Sequence, residues 1–336
     1  MSQKQPHSPE TILVYVGGDL VGDGLIKLPF VRALRHAFPD AHITWMAGVA
    51  RTAYAGILAP LVPGLIDETI EEAGFDRGRD KIFPRPLGGR RFDLIIDTQR
   101  GAPRTLMLRR IRHGVFLSGA ADFYLSDRRP PRPYERPTAL IRQLLNLVEL
   151  AGGAPPDTGK HLNIDEATRR VARGLLPEGP RYIGLSPGAG SRNKCWPLEN
   201  FAALASGLSA KGLVPVFVLG PEESDWRMTL ERDTPGALFP SLDGGDVPAD
   251  LKFSPMLTIA LAECLAAGVS NDSGTSHMFA AADLPLVALF GPTSAEKFAP
   301  MTTRSAVVTA QSFGGEEMSD IPVGAVMNAV ESLMDD

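Results

Sequence analysis

Cysteine is scarce in this sequence, and the marks of an exported or membrane-spanning chain are missing. Its two cysteines, Cys195 and Cys264, exclude a disulfide framework and show no CxxC metal-binding spacing. Such cysteine usage is typical of a reducing compartment, so we expect a cytoplasmic protein. The polar start, residues 1–10, lacks the apolar core of a secretory signal. The longest apolar stretch, Leu257–Val269, includes Glu263 and is too short to span a bilayer.

Common nucleotide and metal motifs are also missing. The sequence has neither a GxGxxG dinucleotide fingerprint nor a GxxxxGK[ST] phosphate loop, which disfavours a nicotinamide-dependent oxidoreductase. It has no HExxH, no paired His and Cys, no EF-hand spacing and no DxD triplet. We therefore expect no metal cofactor and a metal-free mechanism.

The composition is that of an ordinary globular protein, with 44% hydrophobic and 22% charged residues. A length of 336 residues suggests about two domains. The net charge of −5 argues against a nucleic-acid partner, but it is unevenly distributed. Residues 1–160 hold 22 basic and 17 acidic side chains, whereas residues 161–336 hold 12 and 22. This asymmetry predicts different ligands for the two halves.

Apolar patterning predicts two α/β series. Thr11–Val16 has the pattern of a buried parallel strand, Leu25–Phe38 that of a helix, and Ala41–Met46 that of a second strand. Ala154–Lys160 is typical of a linker, and the Pro- and Arg-rich Ser126–Pro137 is typical of a surface loop. Further strands are expected at Phe92–Asp97, Tyr182–Leu185, Val214–Leu219, Gly268–Ser270 and Leu286–Phe290, and further helices at Thr138–Ala151, Asp165–Leu175, Leu198–Ala210, Leu257–Ala266, Ser276–Ala282 and Val323–Met334.

A glycine-rich loop, Gly17–Gly24, joins the first strand to the first helix. It exposes backbone N–H groups at a helix N-terminus, at the edge where open α/β sheets bind ligands. Asp23 stands in this loop, and spacing alone leaves two roles open for it. It is either a ligand-site carboxylate or a cap of the following helix.

Two loops of the second half carry similar signals. Ser186–Pro197 follows a strand, and its small residues with Arg192 and Lys194 suit a phosphate, although a flexible surface loop is the alternative. Ser270–His277 opens a helix whose free N–H groups suit an anion, although a dense N-terminal cap is the alternative. Phe290–Thr293 also follows a strand, and by itself it is only a turn signal.

Arginines are concentrated in residues 99–136, which hold nine arginines against three acids. Arginine suits phosphate and carboxylate recognition, although most members of such a group are ordinarily a solvated basic face. RNA binding is disfavoured because no aromatic-rich stacking motif accompanies them. The nine are Arg100, Arg104, Arg109, Arg110, Arg112, Arg128, Arg129, Arg132 and Arg136.

Taken together, these motifs resemble the ADP-heptose:lipopolysaccharide heptosyltransferases, glycosyltransferase family 9. The resemblance is carried by ILVYVGGDLVGDGLIKLPFVRALRHAFPDAHITWM, FDLIIDTQR, GLSPGAGSRNKCWPLENFAALA and GVSNDSGTSHMFAAADLPLVALFGPTSAEKFAP. It implies an α/β GT-B fold, in which two Rossmann-like doubly wound domains face a central cleft. Residues 1–157 would bind the acceptor, residues 158–322 the sugar nucleotide, and the terminal helix in 323–336 would pack back on the N-terminal domain.

The resemblance also implies an activity. It is the inverting, metal-independent transfer of a heptose-type sugar from ADP-heptose to a lipopolysaccharide-core or related glycan. The alternatives are a different sugar nucleotide or a binding protein without catalysis. The expected partners are the sugar nucleotide and an anionic glycolipid but no nucleic acid. We expect a monomer with peripheral contact at the cytoplasmic face of the inner membrane.

Site residues follow from the same resemblance. Asp23 matches the family's catalytic base, and either Glu222 or Glu223 matches the acid that holds the nucleoside. The expected donor-binding residues are Ser186, Gly188, Ala189, Gly190, Ser191, Arg192, Lys194, Glu222, Asp272, Ser273, Gly274 and His277, and the expected acceptor-binding residues are Gly22, Lys27, Gln99, Arg100 and Arg104. Two departures are Lys27, where Thr is more common, and Cys195, where Arg or His is usual.

Overall fold

Two parallel sheets organise the chain. The computed structural model describes residues 8–48, 50–73, 86–159, 162–243 and 247–335. It divides into a first unit, residues 1–161, and a second unit, residues 162–336.

The first unit alternates strands and helices, as its apolar patterning predicts. Its elements are β1 (Thr11–Val16), α1 (Val21–Ala37), β2 (His42–Ala47), β3 (Glu68–Ile70), β4 (Arg91–Asp97), α2 (Ala102–Leu108), β5 (Arg112–Ser118) and α3 (Leu140–Gly152). The strand order is β3-β2-β1-β4-β5, and every pairing is parallel. Because helices cover both faces of such a sheet, central strands are buried and apolar, as β1 is from Ile12 to Val16.

The second unit repeats this construction with a different strand order. Its elements are α4 (Glu166–Leu175), β6 (Tyr182–Ser186), α5 (Leu198–Ala210), β7 (Val214–Phe217), α6 (Arg227–Asp233), α7 (Pro240–Asp243), α8 (Pro255–Ala262), β8 (Ala267–Asn271), α9 (Gly274–Ala281), β9 (Leu286–Phe290), α10 (Ala295–Phe298), β10 (Ser305–Thr309) and α11 (Val323–Asp335). The parallel order is β7-β6-β8-β9-β10.

The longest apolar run belongs to the core of the second unit. All eight residues of α8 are buried, and the run then passes through a short connection into the buried strand β8. A helix that is apolar on every side is expected where protein surrounds it. Among the residues that the structure describes, no helix is both long and apolar enough to cross a membrane.

The terminal helix α11 packs within the second unit. It contacts α5, β8, β9 and β10, and Val326, Val330 and Leu333 lie in that unit's core. Just before it, the carbonyl of Ile321 accepts a hydrogen bond of 2.9 Å from Trp196 Nε1. These contacts tie the helix to the second unit, and its return to the N-terminal domain stays a prediction.

Each sheet has one point at which its strand order reverses. In the first unit this point lies between β1 and β4, and in the second it lies between β6 and β8. Ligands of open α/β sheets bind outside the carboxyl ends of the strands at such a point. The loops after these four strands are therefore where a binding site is expected.

Candidate active site

Asp23 is the third residue of α1, because the helix already begins at Val21, inside the glycine-rich segment Gly17–Gly24. Its carboxylate is exposed, and Oδ2 accepts a hydrogen bond of 3.3 Å from the Leu20 backbone N–H. This contact is the second half of a capping box, since the N-cap, Leu20, has no side-chain acceptor. Asp23 therefore caps its own helix while it faces solvent at the carboxyl end of β1. Gly22, an expected acceptor residue, is the second residue of the same helix.

Beneath this loop lies a buried ion pair that the sequence analysis missed. The Lys27 ammonium pairs with Asp19, and both side chains are shielded from solvent. Asp19 also accepts hydrogen bonds from Thr52 Oγ1 at 2.9 Å and from Trp45 Nε1 at 3.2 Å. Lys27 is thus engaged inside the first unit, an arrangement that does not favour the acceptor role expected for it.

The loop after β4 brings two expected acceptor residues beside the loop after β1. A Cβ atom built on Gly17 would lie 3.3 Å from Gln99 Oε1 and 3.7 Å from Arg104 Nη1. The polar ends of Gln99 and Arg104 therefore lie against the first residue after β1. Arg100 Nη1 lies 3.5 Å from Gln143 Oε1. One pocket here is lined by Asp97, Gln99, Arg100, Tyr134, Arg136 and Gln143.

Asp97, the last residue of β4, is a buried carboxylate at this edge. Its oxygens accept hydrogen bonds from Thr105 Oγ1 at 2.6 Å, Gln99 N at 2.9 Å and Ser118 Oγ at 3.0 Å. Burial raises the pKa of Asp97 from 3.8 to about 6, although these hydrogen bonds and the charge of Arg104 oppose the shift. Asp97 was not among the expected site residues. The available signal was a carboxylate that ends the apolar run FDLIID, two residues before Gln99.

The arginine-rich window does not form one surface. Arg100 and Arg104 follow the carboxyl end of β4, whereas Arg110 and Arg112 stand at the amino end of β5. A strand of that length separates the two edges by roughly 20 Å. Arg109 is structural, because it pairs with Asp127 at 2.8 Å and lies over the ring of Phe116.

In the second unit, three loops converge on one carboxylate. Lys194, from the loop after β6, places its ammonium 2.9 Å from Asp272 Oδ2, in the loop after β8. Thr293, from the loop after β9, donates a hydrogen bond of 2.8 Å to the same oxygen. Thr293 was not among the expected site residues, although its place just past an apolar strand was the same signal that marked the other two.

A buried amide fastens the first two of these loops together. Asn271 Oδ1 accepts a hydrogen bond of 3.1 Å from Trp196 N, and its Nδ2 donates one of 2.8 Å to the Pro187 carbonyl. Asn271 and Trp196 are both fully buried. The loop after β6 is therefore anchored at both ends of its glycine-rich part, which opposes the alternative of a flexible surface loop.

The N-terminus of α9 faces the same edge. Its N-cap, Ser273, makes no side-chain hydrogen bond to the amides of this helix within the described segment and instead lies 3.3 Å from Ser270 Oγ. The first N–H groups of a helix have no intrahelical partners, so they can bind an anion. His277 stands on the first turn and is buried, and Gly274 opens the helix. The alternative of a dense side-chain cap is not what forms here.

Of the two adjacent acids, Glu223 is the one held against the donor loop. Glu223 Oε2 accepts a hydrogen bond of 3.0 Å from Gly220 N, and a Cβ on Gly188 would lie 2.6 Å from Glu223 Oε1. Burial raises the pKa of Glu223 above its ordinary value. Glu222 is exposed to solvent. This contact favours Glu223 as the acid that matches the family's nucleoside contact.

The remaining residues of the donor loop differ in how firmly they are placed. Ser186 is 1% exposed, and its hydroxyl has no hydrogen-bond partner among the residues that the structure describes. Arg192 lies over the ring of Trp226 at 4.9 Å, and Ser191 donates to Asn193 at 2.7 Å. Gly190 is exposed with open space beside it, so packing does not require a glycine there, and Ala189 is half-buried.

No metal-binding cluster is present within the described ranges. No group of three or more His, Cys, Asp or Glu side chains there is placed to hold an ion. Metal independence stays a prediction.

Comparison with known proteins places the chain in a family. The model of glycosyltransferase family 9 (heptosyltransferase) matches residues 82–319. Lipopolysaccharide heptosyltransferase 3 of Escherichia coli is 28% identical over 306 residues, 81% of each chain. Lipooligosaccharide heptosyltransferase 2 of Haemophilus influenzae is 30% identical over 138 residues, which cover 40% of this chain and only 38% of that relative.

Solved structures show the same fold. A family 9 glycosyltransferase from Veillonella parvula has a TM-score of 0.69 at 21% identity over 97% of both chains. Escherichia coli heptosyltransferase WaaC with ADP has a TM-score of 0.67 at 19% identity over 96% of this chain and 99% of that one. The expected α/β GT-B architecture of two doubly wound domains is confirmed. This chain therefore belongs to glycosyltransferase family 9, the heptosyltransferase family, and is an enzyme of the glycosyltransferase class.

Proposed function

We propose that this protein transfers a heptose-type sugar, with inversion and without a metal, from ADP-heptose to a lipopolysaccharide-core or related glycan. The observation that carries the proposal is the convergence of Lys194, Asp272 and Thr293 beside the α9 N-terminus in a family 9 chain. A cation and free helix amides at one sheet edge suit the diphosphate of a sugar nucleotide. One similar solved structure is an Escherichia coli heptosyltransferase with ADP.

The donor's charge would be met by few groups. Asp272 holds the Lys194 ammonium at the loop, from which it can reach a phosphate oxygen. The amides of α9 would bind another, and His277 on the first turn would add a hydrogen bond. The Ser186 hydroxyl, which has no hydrogen-bond partner in the described part of the chain, can donate to the sugar nucleotide as well. Glu223, held beside Gly188, would accept from the nucleoside hydroxyls.

Asp23 would act as general base. As an acceptor hydroxyl attacks the anomeric carbon from the face opposite the diphosphate, its proton would pass to the Asp23 carboxylate. The bond from the anomeric carbon to the phosphate oxygen breaks with inversion, and the leaving nucleoside diphosphate takes the electron pair. Lys194 and the α9 amides would stabilise its growing charge. The exposed carboxylate of Asp23 at the carboxyl end of β1 supports this role.

The acceptor would be an anionic glycolipid bound by the first unit. Gln99, Arg100 and Arg104 lie at the β1/β4 edge, where a guanidinium can pair with phosphate or carboxylate groups. We expect the enzyme to act as a monomer in the cytoplasm, in peripheral contact with the inner membrane that carries its acceptor.

A panel of nucleotides tests the donor assignment. A ligand that binds only the folded state raises the unfolding midpoint according to its concentration and affinity. We expect ADP to raise the midpoint more than GDP or UDP at equal concentration, and ADP-heptose to be consumed only when a lipopolysaccharide-core glycolipid is present. A preference for GDP or UDP would overturn the heptosyl assignment.

A further inference from the structure

We propose that Asp97 is a positioning residue for the acceptor half of the reaction, which it serves by holding Gln99 and Arg104 at the end of β1. The inference rests on the proposed function, because it assumes that the acceptor binds at the β1/β4 edge. Asp97 itself is 1% exposed, so it acts through the residues that it orders rather than on the substrate.

The Asp97 carboxylate joins the loop after β4 to α2 and to the end of β5. One carboxylate oxygen accepts a hydrogen bond from the backbone N–H of Gln99, which fixes the first turn of the loop after β4. The other oxygen accepts hydrogen bonds from the hydroxyl of Thr105, on α2, and from that of Ser118, at the end of β5. Ser118 Oγ in turn accepts the Ala120 backbone N–H at 3.1 Å. Thr98 is held separately, since its N–H and its hydroxyl both donate to the Tyr15 carbonyl. Asp97 is the group that ties Gln99 to α2 and β5 within this segment.

The segment fixed in this way carries the acceptor-facing side chains. Gln99 follows Asp97 by two residues, and Arg104 precedes Thr105 by one. Their polar ends lie 3.3 Å and 3.7 Å from the Cβ position of Gly17. A small rotation of α2 or of the loop would carry both groups away from the loop that bears Asp23. Misplacement of this size is enough to weaken substrate positioning substantially.

The charge of Asp97 is costly here, which argues against a purely structural role. Two residues of α2 surround the Asp97 carboxylate: Arg104 supplies a positive charge and Thr105 a hydroxyl. The Ser118 hydroxyl comes from β5, and Tyr15 of β1 is the backbone partner of Asp97 in the sheet. Its three direct hydrogen-bond donors are neutral groups, which compensate a buried carboxylate only in part. Such unfavourable burial is concentrated at functional sites.

The test compares Asp97→Asn with a matched variant of the same strand. Asp93→Asn also removes a carboxylate with three donors, Glu10 N, Thr11 N and Thr11 Oγ1 at 3.1 to 3.2 Å, but at the opposite end of β4. We expect Asp97→Asn to raise the KM for a lipopolysaccharide-core glycolipid by about tenfold, because an amide nitrogen cannot accept the hydrogen bonds. The KM for ADP-heptose should stay within about twofold, and Asp93→Asn should leave both KM values within about twofold.

Amide hydrogen exchange gives a second measurement that needs no substrate. We expect residues 98–105 to exchange at least about fivefold faster in Asp97→Asn than in wild type or Asp93→Asn, because the segment loses its shared acceptor. The proposal is overturned if this exchange is unchanged. It is also overturned if exchange rises while both KM values match those of Asp93→Asn, since Asp97 would then be structural only. Wild-type enzyme that transfers nothing to the glycolipid would instead refute the proposed function, and the exchange result would still decide whether Asp97 orders the segment.

Discussion

In both units, the placement of individual charged groups differs from what the net charge of that half of the sequence suggests. The first unit lies in the net-positive half of the sequence, yet Lys27 and Arg109, two cations of that half, are paired with Asp19 and Asp127 inside the unit. The second unit lies in the net-negative half, yet its site presents the Lys194 ammonium beside a helix N-terminus. The net charge of a unit therefore does not predict which charged groups stand at the edge of its sheet. The placement of a few side chains determines that, and substitutions at the two edges separate placement from net charge.

The largest expected effect concerns the proposed base. Asp23→Asn should lower the rate of sugar transfer by about 10²–10⁴-fold, since general-base catalysis contributes that much. Its affinity for ADP should not change, because ADP is expected at the other unit. The measurements are steady-state transfer and calorimetric titration of ADP, with wild type as the reference. Near-wild-type turnover would show that the carboxylate serves only to cap α1.

The buried carboxylate of the first unit predicts a pH-dependent stability difference. Burial raises the pKa of Asp97 to about 6, whereas in the unfolded chain an Asp titrates near about 4. Between these values the folded state binds more protons, so the contribution of Asp97 falls by roughly 3 kcal/mol as pH rises from about 4 to about 7. Asp97→Asn removes this pH-dependent contribution to the free energy of unfolding.

We therefore expect the free energy of unfolding of Asp97→Asn to increase relative to that of wild type as pH rises over that range. Urea unfolding followed by hydrogen exchange of the β1 and β4 amides, which belong to the first unit, measures it. A difference between variant and wild type that is independent of pH would contradict the assignment.

In the second unit, removal of one cation should weaken the binding of the donor nucleotide and leave the binding of the acceptor unchanged. Lys194→Ala should lower the affinity for ADP by about tenfold to a hundredfold, since a charge-assisted hydrogen bond is lost. Lys211→Ala is the matched control, because Lys211 forms an exposed pair with Glu331 in the same unit. Calorimetric titration of ADP should show no change for the control. Equal affinities for all three proteins would exclude the phosphate role of Lys194.

At the first unit, position along the sheet should matter more than charge. Arg100→Gln with Arg104→Gln should raise the KM for the glycolipid by about tenfold, while Arg110→Gln with Arg112→Gln should change it by less than about twofold. Each pair removes the same charge, but only the first lies at the carboxyl edge. Equal effects in steady-state kinetics would indicate nonspecific attraction by the basic half.

The smallest effect separates the two adjacent acids. Glu223→Gln should weaken ADP binding by a few fold, about 1 kcal/mol, because a neutral amide is a poorer acceptor for nucleoside hydroxyls. The exposed Glu222→Gln should leave it unchanged. Titration of ADP into both variants decides between them, and the reverse order would assign the contact to Glu222.

Apolar patterning predicted the frame of the fold, because buried parallel strands such as Thr11–Val16 and Leu286–Phe290 have few competing interpretations. It missed β3, β5 and β10, in which exposed residues alternate with half-buried ones over all or part of the strand. The order of the strands in each sheet could not be predicted, because no local sequence pattern encodes it.

The motifs located the site loops, but not which side chains face each other across them. The Asp19–Lys27 pair joins residues eight apart in sequence. Ser118 bonds Asp97, and Thr293 bonds Asp272, each across 21 residues and between different elements. Such contacts depend on tertiary packing. The sequence could not distinguish Glu222 from Glu223, because the two are neighbours and only the backbone conformation determines which carboxylate lies against Gly188.

The central claim is that the donor's nucleoside diphosphate binds at the β6/β8 edge of the second unit through a few placed groups. Amide hydrogen exchange with and without ADP tests it most directly. The account predicts protection of residues 186–197 and 271–277 on addition of ADP, with residues 17–23 and 98–105 unchanged. Protection of the first unit's loops, with none at 186–197 and 271–277, would contradict it.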